Sequence, residues 1–158
     1  MFLRCWFLRD LLEFELPMSM TSAQRDQLEN DGYIVLSDLM APDFLARLQQ
    51  AVSEQYRAEG DQAGSEFKQE PGCRRLANLV NKGDIFREVI AHPTVLEWVG
   101  AVLGERFKLS SLNARQVMPH HEGGQPLHAD RAAIPDEAGP WVCNTIWLLD
   151  DFTEQNGA

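Results

Sequence analysis

The spacing of apolar residues changes at Gly104, and this change constrains the fold more than any other feature of the sequence. Upstream of it, apolar residues recur every three to four positions, the spacing of helices that bury one face. We expect such helices in three stretches, the last interrupted by Pro93: 24–30, 41–58 and 84–104. Downstream, 106–118 and 141–150 alternate or are rich in β-branched and aromatic residues, which predicts strands. Because helices precede strands, the chain is predicted to be an α+β protein with a sheet in its C-terminal half.

Several short signals refine this arrangement. Thr21 or Ser22 can cap the first helix. The segment YIVL, residues 33–36, is β-rich and is predicted to form a short strand. An irregularity is expected at Ser110-Ser111 in the middle of a strand, and Asn156-Gly157 is a strong hairpin signal.

Residues 1–19 are predicted to be an extension outside the core, with the working domain spanning 20–158. Charged residues interrupt the apolar run of this extension, so it is too short and too charged to cross a bilayer. It also lacks the continuous apolar stretch and small-residue cleavage site of a signal peptide. A short amphipathic helix is the alternative.

Charge and cysteine content limit the partners. The formal net charge is −10 at pH 7 and the pI is about 4.8, which disfavours a nucleic-acid or anionic-membrane partner. Three widely spaced cysteines form no CxxC pair, so a reducing, cytoplasmic location is expected. The oligomeric state is not predictable from the sequence.

His128 and Asp130 lie two positions apart in LHAD, a short predicted strand that follows a Gly-Gly turn. Side chains at i and i+2 of a strand lie on one face about 6–7 Å apart, so the imidazole and the carboxylate would converge. Mixed nitrogen and oxygen donors suit Fe(II) or Mn(II), and a further histidine would complete a facial triad with open metal positions. By spacing alone, a surface histidine beside a solvated aspartate is the favoured interpretation of the motif.

Three segments occur in this order along the chain: TSAQRDQLENDGYIVLSDLMAPDFLARL, QPLHAD and WLLDDFTEQNGA. Together they resemble the phytanoyl-CoA dioxygenase family of Fe(II)/2-oxoglutarate oxygenases, over residues 21–158. The resemblance implies N-terminal helices packed on a double-stranded β-helix, or jelly-roll, core that is incomplete here. It also implies that His128 and Asp130 are iron ligands.

In that family a third ligand follows in a PGSH-like segment, and an arginine that binds 2-oxoglutarate lies further on. Both are expected beyond Ala158, so we interpret the chain as the N-terminal portion of a longer protein. The implied cofactor is Fe(II), with 2-oxoglutarate and O₂ as cosubstrates. The implied reaction couples decarboxylation of 2-oxoglutarate to hydroxylation of a small organic substrate. A carboxylate at Asp130, where related halogenases have a small residue, favours hydroxylation.

Other polar and aromatic residues near the motif are weaker candidates. By the resemblance, residues that could line the cosubstrate pocket are Asn113, Gln116, Gln125 and Trp147. Residues that could contact substrate are His121, Arg131 and Trp141. Each has a plain structural alternative: a solvated loop for His121, a salt bridge for Arg131 and core packing for the tryptophans.

Two other functions stay open from the sequence. The chain could be an inactive jelly-roll binding module without iron chemistry. It could also be a cupin-like metal enzyme that is not an oxygenase, with His120 or His121 as its third ligand. The sequence does not identify the substrate.

Overall fold

The computed structural model describes residues 1–9, 20–67, 69, 71–120, 135–137 and 139–156. Within these ranges the chain is an α+β protein, as predicted, with four α-helices and a four-stranded antiparallel sheet. In chain order the elements are β1 (Phe2–Arg9), α1 (Ser22–Asp31), α2 (Pro42–Glu59), β2 (Cys73–Leu76), α3 (Asp84–Ile90), α4 (Pro93–Leu103), β3 (Phe107–Val117) and β4 (Val142–Leu148). Short 3₁₀ helices lie at Gly60–Gln62, Leu79–Asn81 and Glu154–Asn156.

The helices begin and end where their sequence signals predict. Thr21 caps α1: its hydroxyl accepts a hydrogen bond from the backbone N–H of Gln24, whose carboxamide accepts one from the backbone N–H of Thr21. Gly32 ends α1 in the left-handed conformation at φ 75°. Prolines open α2 and α4 at positions that need no hydrogen-bonded N–H. The predicted helices are therefore confirmed.

The sheet has the strand order β2-β3-β1-β4, so β1 lies between β3 and β4. Phe2 is the Cα partner of Arg115 on one side and of Leu148 on the other. The inward side chains of β1 belong to the core: Leu3, Cys5 and Phe7 are 0–2% exposed.

The expectation that residues 1–19 lie outside the core is therefore wrong for residues 2–9. Arg4 interrupts the apolar run without preventing a strand, because its side chain points to the opposite face from Leu3 and Cys5. Residues 10–19 lie outside the described part of the chain. That 20–158 is a single working domain stays a prediction.

Strand β3 contains a bulge at the predicted irregularity. Trp6 of β1 faces Ser111 and Phe7 faces Leu109, so Ser110 is the extra residue. The strong strand signal of 141–150 is confirmed by β4. Asn156 ends the last 3₁₀ helix, and Gly157 lies outside the described residues, so the hairpin is untested.

The segment YIVL does not form the predicted strand. Tyr33 and Val35 are 63% and 71% exposed, so strand propensity without a neighbouring strand to pair with does not produce one here. Conversely, β2 was not predicted from the sequence. It is a four-residue strand whose two central residues are arginines.

The core lies between the helices and one face of the sheet. Leu3, Leu112 and Trp147 from the strands pack with residues of α2, α3 and α4, among them Val52, Phe86 and Val99. The described residues form one sheet, and the second sheet that a jelly roll requires stays a prediction. Among the helices described, none combines the length and hydropathy needed to span a bilayer.

Candidate functional site

The predicted metal motif lies outside the described residues, which end before it at His120 and resume at residue 135. This applies to His128 and Asp130, and also to His121, Gln125 and Arg131. Within the part of the chain that the structure describes, no group of three or more His, Cys, Asp or Glu side chains is arranged to hold a metal ion. The iron site is thus neither supported nor excluded by the geometry.

The side of the sheet that faces away from the helices carries polar and cationic side chains. Asn113 is the Cα partner of Arg4, and Arg115 is the Cα partner of Arg75. The neighbouring pair Leu76 and Ala114 is buried on the helix side, and side chains alternate along a strand, so Arg75 and Arg115 point outward. We call this surface the arginine face and define it by Arg4, Arg75, Asn113 and Arg115.

The four strands contain no aspartate or glutamate, although the chain has 24 acidic and 14 basic residues. The basic residues of the strands are Arg4, Arg9, Arg74, Arg75, Lys108 and Arg115. The sheet is therefore a cationic part of an acidic protein. Such a surface raises the local concentration of anions.

Aromatic rings and a thiol position the guanidinium groups of the arginine face. The guanidinium carbon of Arg4 lies 4.6 Å from the ring centroid of Trp6, and that of Arg75 lies 5.3 Å from the ring of Phe67. Arg115 donates a hydrogen bond from Nε to Sγ of Cys73 at 3.1 Å. These contacts limit the orientations that the guanidinium groups adopt.

A cleft of about 450 Å³ adjoins this face where β2 ends and leaves one side of β3 open. It is lined by both polar and apolar groups, including Phe67, Val80, Leu109, Ser111 and Asn113. The amide of Asn113 donates a hydrogen bond from Nδ2 to the hydroxyl oxygen of Ser111 at 3.3 Å. The volume is that of a small-molecule pocket.

The other predicted pocket residues do not join Asn113. Gln116 is the Cα partner of Arg74 and, three positions from Asn113, lies on the opposite face of β3. Trp147 is 4% exposed and packs in the core, with its ring centroid 5.6 Å from that of His92. Trp141 precedes β4 and is 39% exposed. The structure therefore groups Asn113 with arginines that were not among the predicted site residues.

His92 and Trp147 form an interior contact. Burial lowers the pKa of the His92 imidazole below its usual value, so the ring is neutral at pH 7. Trp147 also contacts Phe44 of α2, with ring centroids 6.3 Å apart. These contacts support core packing, the structural alternative for Trp147.

Arg4 lies in a strand that sequence reasoning did not predict. The interrupted apolar run of residues 1–19 was compared only with a membrane span, a signal peptide and a short amphipathic helix. The alternation Leu3, Cys5, Phe7 is the signal that could have identified a strand with Arg4 on its outer face.

Comparison with known proteins identifies the family. The model of the family described as Phytanoyl-CoA dioxygenase (PhyH) matches residues 28–158. The chain belongs to this family. The prediction made from the three sequence segments is confirmed, and the match includes the positions of His128 and Asp130.

Two fungal relatives are similar to this family member over most of its length. Dioxygenase af480 of Aspergillus fumigatus is 28% identical over 157 residues, which cover 95% of this chain. Dioxygenase trt7 of Aspergillus terreus is 28% identical over 148 residues, which cover 83%. The chain spans about half the length of these relatives, 50% in both cases. No solved structure matches it.

Proposed function

We propose that this chain is part of an Fe(II)- and 2-oxoglutarate-dependent oxygenase that hydroxylates a small organic substrate. The observation that carries the proposal is the family match over 28–158, which contains an H-x-D motif at His128 to Asp130. The dioxygenase names of the two fungal relatives support an oxygenase in general terms. The substrate, the use of 2-oxoglutarate and the hydroxylation outcome are part of the proposal.

His128 and Asp130 would hold the iron. An imidazole nitrogen and a carboxylate oxygen are donors that suit Fe(II), and a facial arrangement leaves positions open for cosubstrate and O₂. Bound iron would supply the O₂ chemistry, and the protein would supply binding, orientation and exclusion of water.

The described residues would contribute one wall of the reaction chamber. Asn113 lies on the outward face of β3 and lines the cleft, so its amide could orient a bound carboxylate or carbonyl. Buried inward residues of the same strand, Leu112 and Ala114, hold β3 against the core. A polar group on a strand fixed in this way keeps its orientation while ligands exchange.

Anaerobic titration of the whole protein of which this chain is proposed to be a part, with Fe(II) and with or without 2-oxoglutarate, tests the proposal. We expect saturable Fe(II) binding that is lost or weakened at least about tenfold in His128→Ala and Asp130→Ala, because each variant removes a ligand. The matched control is His120→Ala, an exposed histidine next to the motif, which we expect to bind iron as the wild type does. Under air, succinate should form only with the wild type and this control.

Two outcomes would contradict the proposal. Fe(II) binding that is equal in wild type and His128→Ala would favour the inactive binding module. Iron binding lost in His120→Ala, without succinate formation by the wild type, would favour the cupin-like metal enzyme.

A further inference from the structure

The cleft of about 450 Å³ opens where β2 stops pairing with β3. Strand β2 pairs only with the last four residues of β3, so residues 109–113 have β1 on one side and the cleft on the other. The opposite wall includes Asn78 and, from the following 3₁₀ helix, Val80. Behind the two walls, Leu79 and Leu112 are fully buried in the core. Both walls are therefore held in place before a ligand enters.

The bulge in β3 brings two consecutive serines to the cleft. Successive side chains of a regular strand point to opposite faces, so Ser110 and Ser111 would otherwise be separated. Ser110 is the extra residue of the bulge, and both serines line the cleft. Asn113 donates a hydrogen bond to Oγ of Ser111, which leaves the O–H of Ser111 as a donor. Within the described part of the chain, the Ser110 hydroxyl has no hydrogen-bond partner.

The rest of the lining combines apolar side chains with one more uncharged donor. Phe67 is 64% exposed, and Val80 and Leu109 are half-buried. These side chains offer contact area to an apolar ring or chain. On the same wall as Val80, Asn78 accepts a hydrogen bond at Oδ1 from Nδ2 of Asn81 at 2.7 Å, which leaves the Asn78 Nδ2 as a donor. The lining thus suits a ligand that has both a hydrocarbon part and hydrogen-bonding groups.

The charge of the cleft comes from one carboxylate. Glu66 is the only ionisable residue among the described residues that line the cleft. Its Oε1 lies 3.0 Å from Nζ of Lys82, whose ammonium also contacts Glu59. An anionic ligand would be repelled by Glu66 and by the net charge of −10. A cationic ligand would compete with Lys82 for the same carboxylate. The cleft therefore favours an uncharged ligand.

We propose that this cleft binds the substrate of the oxygenase, and that the substrate is an uncharged organic molecule. Its apolar ring or chain packs on Phe67, and its hydroxyl or carbonyl groups form hydrogen bonds with Ser110, Ser111 and Asn78. That the ligand is the substrate rests on the proposed function. Binding itself requires neither iron nor 2-oxoglutarate, so it can be measured separately from the iron chemistry.

Ligand-observed NMR titration of the whole protein, kept metal-free by a chelator, tests the charge class of the ligand. The probes are cyclohexylmethanol, cyclohexanecarboxylate and cyclohexylmethylammonium, which share one ring and differ in charge. We expect cyclohexylmethanol to saturate and to bind at least about threefold more tightly than either ion, because each ion loses hydration or meets Glu66 and Lys82 unfavourably. In Glu66→Gln the affinity for the carboxylate should approach that for the alcohol, since the repulsion is removed.

Two pairs of variants locate the binding in the cleft. Phe67→Ala removes the aromatic wall and should weaken cyclohexylmethanol binding about three- to tenfold, whereas Tyr33→Ala, at 63% exposure outside the lining, should leave it unchanged. Ser110→Ala should weaken it about two- to tenfold through a lost hydrogen bond, whereas Ser65→Ala, an exposed serine outside the lining, should not. Ser110→Ala carries the test if Phe67→Ala does not fold, as judged by circular dichroism.

Selective binding of the alcohol that the cleft variants weaken supports the proposal. It is overturned if the alcohol does not saturate, if either ion binds the wild type as tightly, or if the control variants weaken binding as much as the cleft variants do. Alcohol binding in the cleft of a protein that does not bind Fe(II) would support the binding site and contradict the proposed function.

Discussion

Gly64 allows the turn after α2 to lie directly against β2. Its φ is +76°, and a Cβ at this position would lie 2.8 Å from Cβ of Arg75 and 2.9 Å from the Arg75 carbonyl oxygen. Only a glycine fits both the conformation and the space. The turn continues to Phe67, whose ring lies against the Arg75 guanidinium, so Gly64 also helps to position one arginine of the arginine face.

Comparing Gly64→Ala with Gly60→Ala separates crowding from backbone strain. Gly60 has φ +53° and ψ −130° and nothing within 4 Å of a Cβ, so Gly60→Ala should cost about 1–3 kcal/mol of unfolding free energy, from conformation alone. Gly64→Ala should cost about 1–3 kcal/mol more, because β2 must shift. Urea denaturation measures both values, and equal losses would show that the contact with Arg75 does not matter.

The thiols of Cys5, which is buried, and of Cys143, which is partly buried, make the stability of the protein depend on pH on the alkaline side. Burial raises the pKa of Cys5 and of Cys143 from 9.0 to about 11. The native state therefore keeps both protons at a pH where the unfolded chain has lost them. This stabilisation is fully present below pH 9 and is lost as the pH rises through 11, at about 1.4 kcal/mol per unit of pKa difference for each thiol.

We expect the free energy of unfolding to fall between pH 9 and pH 11, and to fall less steeply in Cys143→Ala. Denaturation curves at a series of pH values measure the slope. The variant serves as the control for the lysines and tyrosines that also titrate in this range. Identical slopes in wild type and variant would contradict the assignment to the thiol.

At the scale of elements, local sequence signals predict where the helices form, whereas strand formation depends on pairing with residues distant in sequence. Caps, prolines and three-to-four spacing are contained within each helix, so α1, α2, α3 and α4 could be predicted from sequence. A strand is stabilised by its neighbours. YIVL has strand propensity but no neighbouring strand, whereas β1 has neighbours on both sides that follow it by more than a hundred residues.

The sequence does not show which candidate residues share a face of the sheet. The resemblance groups Asn113 and Gln116 as polar pocket residues, although an offset of three places them on opposite faces of β3. Arg4 and Arg115 become neighbours only when β1 is placed beside β3. No local pattern contains that pairing.

Alanine substitutions on the two faces of β1 should change the free energy of unfolding by different amounts. Leu3→Ala removes a fully buried side chain and should cost about 2–5 kcal/mol of unfolding free energy, because a cavity remains in the core. Leu8→Ala, on the outward face of the same strand, should cost clearly less. Thermal and urea denaturation measure the difference. Similar, small losses in both variants would mean that β1 does not pack as described.

Lys82 joins three segments on the helix side of the fold. Its ammonium lies 2.8 Å from Oε1 of Glu59 at the end of α2 and 3.0 Å from Oε1 of Glu66 in the following turn. Burial alone would lower the pKa of Lys82, and the two carboxylates outweigh it, so the pKa is raised. Lys82 and Glu59 are 13% and 17% exposed, which makes this pair less screened than a surface ion pair.

Lys82→Met should therefore destabilise the protein by about 1–3 kcal/mol, because Glu59 loses its charged partner. Arg47→Met is the matched control. Arg47 is also 2.8 Å from its carboxylate partner, Glu88, but both side chains are about half exposed, so the loss should be at most about 1 kcal/mol. Equal losses in the two variants, measured by urea denaturation, would contradict the role of burial.

Across the whole molecule, charge is segregated between the sheet and the rest of the chain. The strands carry basic residues and no acidic ones, while the protein as a whole carries a net charge of −10.

The central position of β1 in the sheet also determines when this strand can pair during folding. Phe2 is synthesised more than a hundred residues before its strand partners Arg115 and Leu148. The helices can form during translation. Strand β1 stays unpaired, with its apolar side exposed, until β3 and β4 have been made. Pairings this distant in sequence form slowly. In pulse-labelled hydrogen exchange during refolding, amides of β1 and β4 should gain protection together and after those of α2, so a strand that is synthesised before the helices becomes ordered after them.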